Sequence, residues 1–202
     1  MTIVHLVRHG QTDWNLERRI QGQTNSQLTD LGRQQARDAS FKLKNVHIDH
    51  VFSSSSTRAL ETARLIMEGR DIELLPHDAL REIQLGHWEG NLYDEIKERE
   101  PENYHHFWQD PSQFNVPGAE TFHQLQQRGL SVLNELVEKY PGRSLLIVSH
   151  GAFIKSLLSH IEGRHLKDLW LPPSMSNCCH SIIIRNSDGQ FTIKQYADLE
   201  TW

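Results

Sequence analysis

Apolar positions along this chain fall into short blocks whose period alternates between strand-like and helix-like. Ile3, Val4, Leu6 and Val7 open it with a run that reads as a strand covered on both faces. The polar stretch 11–30 that follows has no clear period, and connections that long in compact domains are often functional. Thr29 or Asp30 then caps a helix to about residue 44, with Ala36, Ala39, Phe41 and Leu43 on its apolar side. Residues 50–53 read as a second strand. Ser54, Ser55 and Ser56 can cap the next helix, which carries Arg58, Leu60, Ala63 and Leu65, and residues 72–75 make a third strand. The stretch 81–118 is irregular and aromatic-rich. Within it, Asn91 caps a short helix ending before Pro101, and 104–108 forms another. Glu120 or Thr121 starts a long amphipathic helix to residue 140, with Phe122, Leu125, Val132, Leu133, Leu136 and Val137 at helical spacing before Pro141-Gly142 stops it. A continuous apolar strand (145–148), a helix (152–161) and a closing hairpin, 182–184 and 191–196 around Asp188-Gly189, complete the pattern.

Strand and helix alternate, which predicts an α/β fold: a three-layer α/β/α sandwich with a mostly parallel central sheet, made mixed by the final hairpin. The 202 residues fit one domain, 1–202, with an aromatic-rich excursion at about 83–118.

The formal charge of −5 and the lack of any Lys/Arg block argue against a nucleic-acid partner. A local arginine cluster can still serve an anionic ligand. No apolar stretch is long enough to span a bilayer, so no membrane partner is expected. Met1-Thr2 runs straight into the first strand, without a signal-peptide pattern. Adjacent cysteines rarely pair with each other, so Cys178 and Cys179 are expected as reduced thiols in a cytoplasmic protein. The 13 histidines raise a metal hypothesis, but no His-Glu-x-x-His and no Cys/His zinc spacing occurs, so neither metal nor cofactor is expected.

Chemistry concentrates at strand ends. Arg8-His9-Gly10-Gln11-Thr12 follows the first strand, and Ser149-His150-Gly151 follows the late apolar one. Open α/β sheets place ligands at such ends. Arginine offers a planar fork suited to phosphate oxygens, neutral histidine a nucleophilic nitrogen, and glycine a close backbone approach. Arg58 sits in the first turn of a helix after a strand, where the helix end suits an anion. Its alternative is a solvent-facing residue paired with Glu61 or Glu68.

The run from Leu6 to Asn15 resembles the signature of the histidine phosphatase superfamily, the phosphoglycerate-mutase-like enzymes. The resemblance continues through Arg19, Gln21-Gly22, Leu28-Thr29, Gly32 and Gln35-Ala36, then Ser53-Ser54, Arg58-Ala59 and Glu61-Thr62-Ala63. Leu80-Arg81-Glu82, Gly86, Trp88-Glu89-Gly90 and Val148-Ser149-His150-Gly151 complete it in family order over most of the chain. Length and the Phe107-Trp108 region are most similar to bacterial broad-specificity phosphatases.

The resemblance implies a metal-independent hydrolase of small phosphomonoesters, a phosphorylated metabolite being its partner. His9 would be the nucleophile, with Arg8, Arg58 and His150 holding the phosphoryl group. Asn15, Gln21, Gly22 and Gly151 would complete the phosphate pocket. Glu82 would be the general acid and then base, with Glu89 the runner-up. Trp88, Tyr104, Phe107 and Trp108 read equally as a substrate wall or as a satellite core.

A phosphoglycerate mutase is the first alternative. However, the middle of the chain carries only Lys97 and Arg99 after Glu82, which suits a substrate carboxylate poorly. An α-ribazole-phosphate type of phosphatase is a further alternative. A non-catalytic phospho-ligand binder is disfavoured because His9, Glu82 and His150 are all present. His87 and Gln23 depart from the family pattern and bear on substrate fit. The oligomeric state, a homodimer included, is left open.

Overall fold

The computed structural model describes residues 1–201. Strands β1 (Thr2–Arg8), β2 (His50–Ser54), β3 (Leu74–His77), β4 (Ser144–Ser149), β5 (His180–Arg185), β6 (Phe191–Tyr196) and β7 (Leu199–Glu200) form one sheet in the order β3-β2-β4-β1-β5-β6-β7. Pairing is parallel from β3 to β1 and antiparallel from β1 to β7. This is the expected mixed, α/β arrangement.

The helices are α1 (Asp13–Leu16), α2 (Asp30–Lys42), α3 (Thr57–Ile66), α4 (Tyr93–Arg99), α5 (Pro101–Gln109), α6 (Phe122–Lys139) and α7 (Gly151–Ile161). Alternation along β4 sorts them into layers. Leu145 and Ile147 face a core built with α6 and α7, while Leu146 and Val148 face one built with α2 and α3. All four are at most 1% exposed, and each contributes roughly 1.5–3 kcal/mol by burial.

The topology creates the site. β4, late in the chain, inserts between β1 and β2. Register then sets Arg8 beside Ser149, and the His9 N–H donates to the Ser149 carbonyl at 2.9 Å, one residue past the ladder. His9 and His150 thereby leave neighbouring strand ends together.

Several local expectations change. The polar stretch 11–30 contains α1, closed by a reciprocal Thr12/Asn15 capping box. Phe41 does not join the apolar side of α2: it is 77% exposed. β3 begins at Leu74, two residues later than predicted. Leu92, not Asn91, occupies the N-cap of α4, because the Asn91 amide donates back to the His87 and Trp88 carbonyls. Thr29 and Thr121 cap α2 and α6 through their hydroxyls. Cys178 and Cys179 are free and buried, and burial pushes their thiols up to about 12 and about 11. Among the described residues no helix is long and apolar enough to cross a membrane.

Candidate active site

β1 delivers Arg8 and His9 to the floor of a cavity of about 340 Å³. His9 is 3% exposed. Its Nδ1–H donates to the Gly10 carbonyl at 2.7 Å, which assigns the tautomer and makes Nε2 the nitrogen that carries the lone pair. Burial first, then the Arg58 and Arg8 charges, hold the His9 pKa well below the usual imidazole value, against a smaller upward pull from Gly10. The ring is therefore neutral at physiological pH.

Gly10 has a different use from the one its motif suggests. A Cβ there would lie 2.4 Å from the Gly32 carbonyl oxygen, so its missing side chain lets α2 approach β1. Its N–H donates to Thr62 of α3. The motif glycine packs two elements together behind the nucleophile.

Arg58 on α3 is 1% exposed, which corrects any reading of it as solvent-reachable. Glu61, the partner considered for it, pairs instead with Arg33. Arg58 Nη2 donates to the Gly22 carbonyl at 2.7 Å and Nη1 to that of Thr24 at 2.8 Å. Its Nε donates to His9 Nε2 at a long 3.3 Å. Burial lowers its pKa to about 10, and the Glu82 charge opposes the shift. At neutral pH the guanidinium stays charged, fixed beside the reactive nitrogen. Gly22, at φ +51°, turns its carbonyl to this arginine.

Arg8 donates from Nη1 to the Met175 carbonyl, while its Nε is buried without a partner. Gly151 makes room for it, since a Cβ there would meet Arg8 Nε at 3.2 Å. Asn15 and Gln21 also line the cavity. Their side-chain oxygens already accept bonds, from Thr12 and Asn177 and from Thr12 and Ser26 respectively. The amide N–H groups are thus what these two residues have to offer a ligand.

His150, expected to hold the phosphoryl group, does not line the cavity: it is fully buried beside His9, with ring centroids 5.2 Å apart. It shares Nε2 with the Ser54 and Ser56 hydroxyls at 2.7 and 3.2 Å, and its buried Nδ1 has no partner. Burial, then Arg58 and His9, lower its pKa well below the usual value. Ser54 and Ser56, read as helix caps, orient this ring.

Glu82 lines the same cavity. Oε1 accepts the Ile83 and Phe153 N–H groups and Oε2 that of Ala152, so the carboxyl is set on the first turn of α7. Glu89 does not line the cavity. It accepts from Gln23 N–H, Leu85 N–H and both the N–H and hydroxyl of Thr24, tying the loop that holds Arg58 to the loop after Glu82. Gln23 reaches the Glu82 carbonyl, and His87 pairs with Glu100 outside the cavity.

The aromatic set divides. Phe107 and Trp108 line the cavity. Trp88 does not: it is 1% exposed, packs edge-on against Phe114 and donates its indole N–H to Glu100. Tyr104 lines a neighbouring recess instead. Tyr93, Trp170, Met175 and Lys155 belong to the wall and were not anticipated. Lys155 left a trace in the sequence, as the one charged residue in the run 152–159. Its ammonium donates to the Leu171 and Pro173 carbonyls at 2.7 and 2.8 Å, and burial lowers its pKa to about 8.

A neutral, tautomer-fixed histidine and two guanidinium groups thus meet on one cavity at parallel strand ends, an arrangement chemically able to take an anionic group in an α/β fold. The chain belongs to the histidine phosphatase superfamily (branch 1), whose sequence model matches residues 4–199. It is 39% identical over 155 residues to phosphoglycerate mutase-like protein 4 of Arabidopsis thaliana, covering 75% of this chain and 67% of that one. It is 36% identical over 163 residues to the uncharacterized phosphatase PhoE of Bacillus subtilis, covering 81% and 79%. Its fold superposes on Bacillus stearothermophilus YhfR with a TM-score of 0.96 at 38% identity, covering 99% of this chain and 98% of that one.

Proposed function

We propose that this enzyme hydrolyses small phosphomonoesters without a metal, through a phosphohistidine on His9. The observation that carries this is His9 itself: Nδ1 is anchored on Gly10, and Nε2 is the unprotonated nitrogen, held at the cavity by no more than the long 3.3 Å contact from Arg58 Nε. In the first step the Nε2 lone pair attacks phosphorus as the ester P–O bond breaks. Arg8 and Arg58 neutralise charge on the equatorial oxygens, with the Asn15 and Gln21 amides as further partners, while His150, outside the cavity lining, packs beside His9. Glu82 gives its proton to the departing alkoxide. In the second step Glu82 takes a proton from water, the water oxygen attacks phosphorus, the P–N bond breaks and phosphate leaves.

Hydrolysis is favoured over mutase chemistry by the apolar part of the cavity wall. Leu85, Tyr93, Phe107, Trp108, Trp170 and Met175 line it. The cation there, Lys155, is committed to two carbonyls, so a substrate carboxylate finds little to pair with. An uncharged, partly apolar leaving group suits this wall.

The test is a trapping experiment. Substrate radiolabelled in phosphate, quenched in alkali, should leave acid-labile label on His9, and His9→Ala should abolish it. Label elsewhere, or activity lost to a chelator, refutes the mechanism.

A further inference from the structure

We infer that Arg128 is a positioning residue for the general acid, an inference that rests on Glu82 having that role. Glu82 lies on an irregular strap, after the turn at Asp78–Leu80 and outside any strand, so no ladder holds its backbone. Arg128, on α6, supplies what a ladder would. Its Nη1 donates to the Ala79 and Arg81 carbonyls, both at 2.8 Å, and its Nη2 to the Glu82 carbonyl at 3.2 Å. Nε and Nη2 also donate to the two carboxylate oxygens of Glu120, again at 2.8 Å each. All five guanidinium N–H donors are thereby used.

The clamp continues on both sides. Glu120 also accepts the Gln84 N–H, so the strap is held before and after Glu82. The Arg128 guanidinium lies 5.5 Å from the centre of the Phe153 ring, and the Phe153 N–H holds Glu82 Oε1. Backbone and carboxyl of Glu82 are thus referred to α6 and α7 together. A general acid must come within about 2.6–3.2 Å of the leaving oxygen. Misplacement by about 1 Å costs on the order of a hundredfold. Lysine would keep the charge opposite Glu120, but a point ammonium has three donors and no fork, so it cannot hold three carbonyls and a carboxylate together.

A purely structural clamp and a positioning one differ in leaving-group dependence. An alkoxide needs the proton from Glu82, whereas nitrophenolate departs without it. The experiment measures the rate of enzyme phosphorylation by rapid quench, with labelled butyl phosphate and p-nitrophenyl phosphate, alongside the melting temperature. Arg128→Lys should slow the butyl ester at least about tenfold more than the nitrophenyl ester. Glu120→Gln, which loosens the fork but keeps Arg128, should do the same to a smaller degree and serves if Arg128→Lys does not fold. Glu82→Gln sets the reference ratio, and adding Arg128→Lys to it should change that ratio no further. Equal slowing of both esters by Arg128→Lys and Glu120→Gln, or an additive effect in the double variant, overturns the inference while the role of Glu82 stands. An unchanged ratio in Glu82→Gln removes that role and the inference with it.

Discussion

Arg58→Met separates catalytic charge from folding. Methionine keeps an apolar stem and removes the guanidinium. In a shielded site a preorganised donor aimed at developing charge contributes about 3–4 kcal/mol, so kcat/KM should fall roughly 10²- to 10³-fold. Stability should change little, for two opposing reasons. The fall in the Arg58 pKa from 12.5 to about 10 corresponds to about 3 kcal/mol lost by burying the charge, and the substitution recovers it. Against this, the Gly22 carbonyl loses its 2.7 Å donor, at a cost of about 1–3 kcal/mol, while exposed Thr24 can turn to water. A third consequence concerns His9. The Arg58 charge is one of the forces lowering its pKa, so its removal raises the pKa, and the acid limb of kcat/KM must move to higher pH. Hydrolysis of p-nitrophenyl phosphate from pH 4 to 9, with urea unfolding at pH 7.5, reads all three quantities. A loss under tenfold, or an acid limb that stays in place, refutes the reasoning.

Glu89→Ala removes four hydrogen bonds from the loops around Arg58 and should lower kcat/KM about tenfold through looser geometry, with equal loss on alkyl and aryl esters; selective loss on alkyl esters would show that Glu89 acts with the acid, through Leu85 on the Glu82 strap or as the acid itself, and not through the Arg58 loop. Stability should fall as pH drops below about 6.5. His5 and His180 are held neutral in the fold by burial, each at about 4, in a bonded pair where Gln195 donates to His180 Nδ1 and His180 Nε2–H to His5 Nδ1 at 2.9 Å. The unfolded chain binds those protons first, so the stability present above pH 6.5 is lost towards pH 4, on the order of 3 kcal/mol per ring, and His9 and His150 add the same sign. Urea midpoints between pH 7.5 and 4.5 check this, and an unchanged slope in His180→Gln would count against it.

What could be read from the sequence was what local pattern and motif encode. Apolar runs located β1 and β4, and helical spacing located α6, because each buries a face through its own periodicity. The motif residues His9, Arg8, Arg58 and Glu82 do meet at one cavity. Phe41 misled because it is apolar and close in sequence to Ala36, Ala39 and Leu43, yet 3.6 residues per turn put it on the opposite side of α2 from those three, where it faces solvent. β7 is two residues long, and no periodicity exists at that length.

The wall of the cavity was illegible for a different reason. Phe107 and Trp88 have the same composition signal, lie in the same excursion and pack in the same core, yet Phe107 also touches the cavity and Trp88 does not. Each is tied to a distant partner: Glu100 takes the Trp88 indole N–H, and the Trp170 indole N–H donates to the Phe107 carbonyl at 2.6 Å. Trp170 and Met175 come from the segment after α7, far along the chain, and reach the site because Arg8 and Lys155 hold that segment by its carbonyls. Side chains whose placement depends on backbone acceptors elsewhere leave no pattern in their own neighbourhood. The same holds for Arg128, which in sequence is one more cation on a long amphipathic helix and in the fold is the clamp on Glu82. The residues proposed for phosphate chemistry lie in short local motifs, whereas the groups that line the cavity wall and hold Glu82 meet through long-range contacts, so selectivity should change more readily than the reaction when such contacts are substituted.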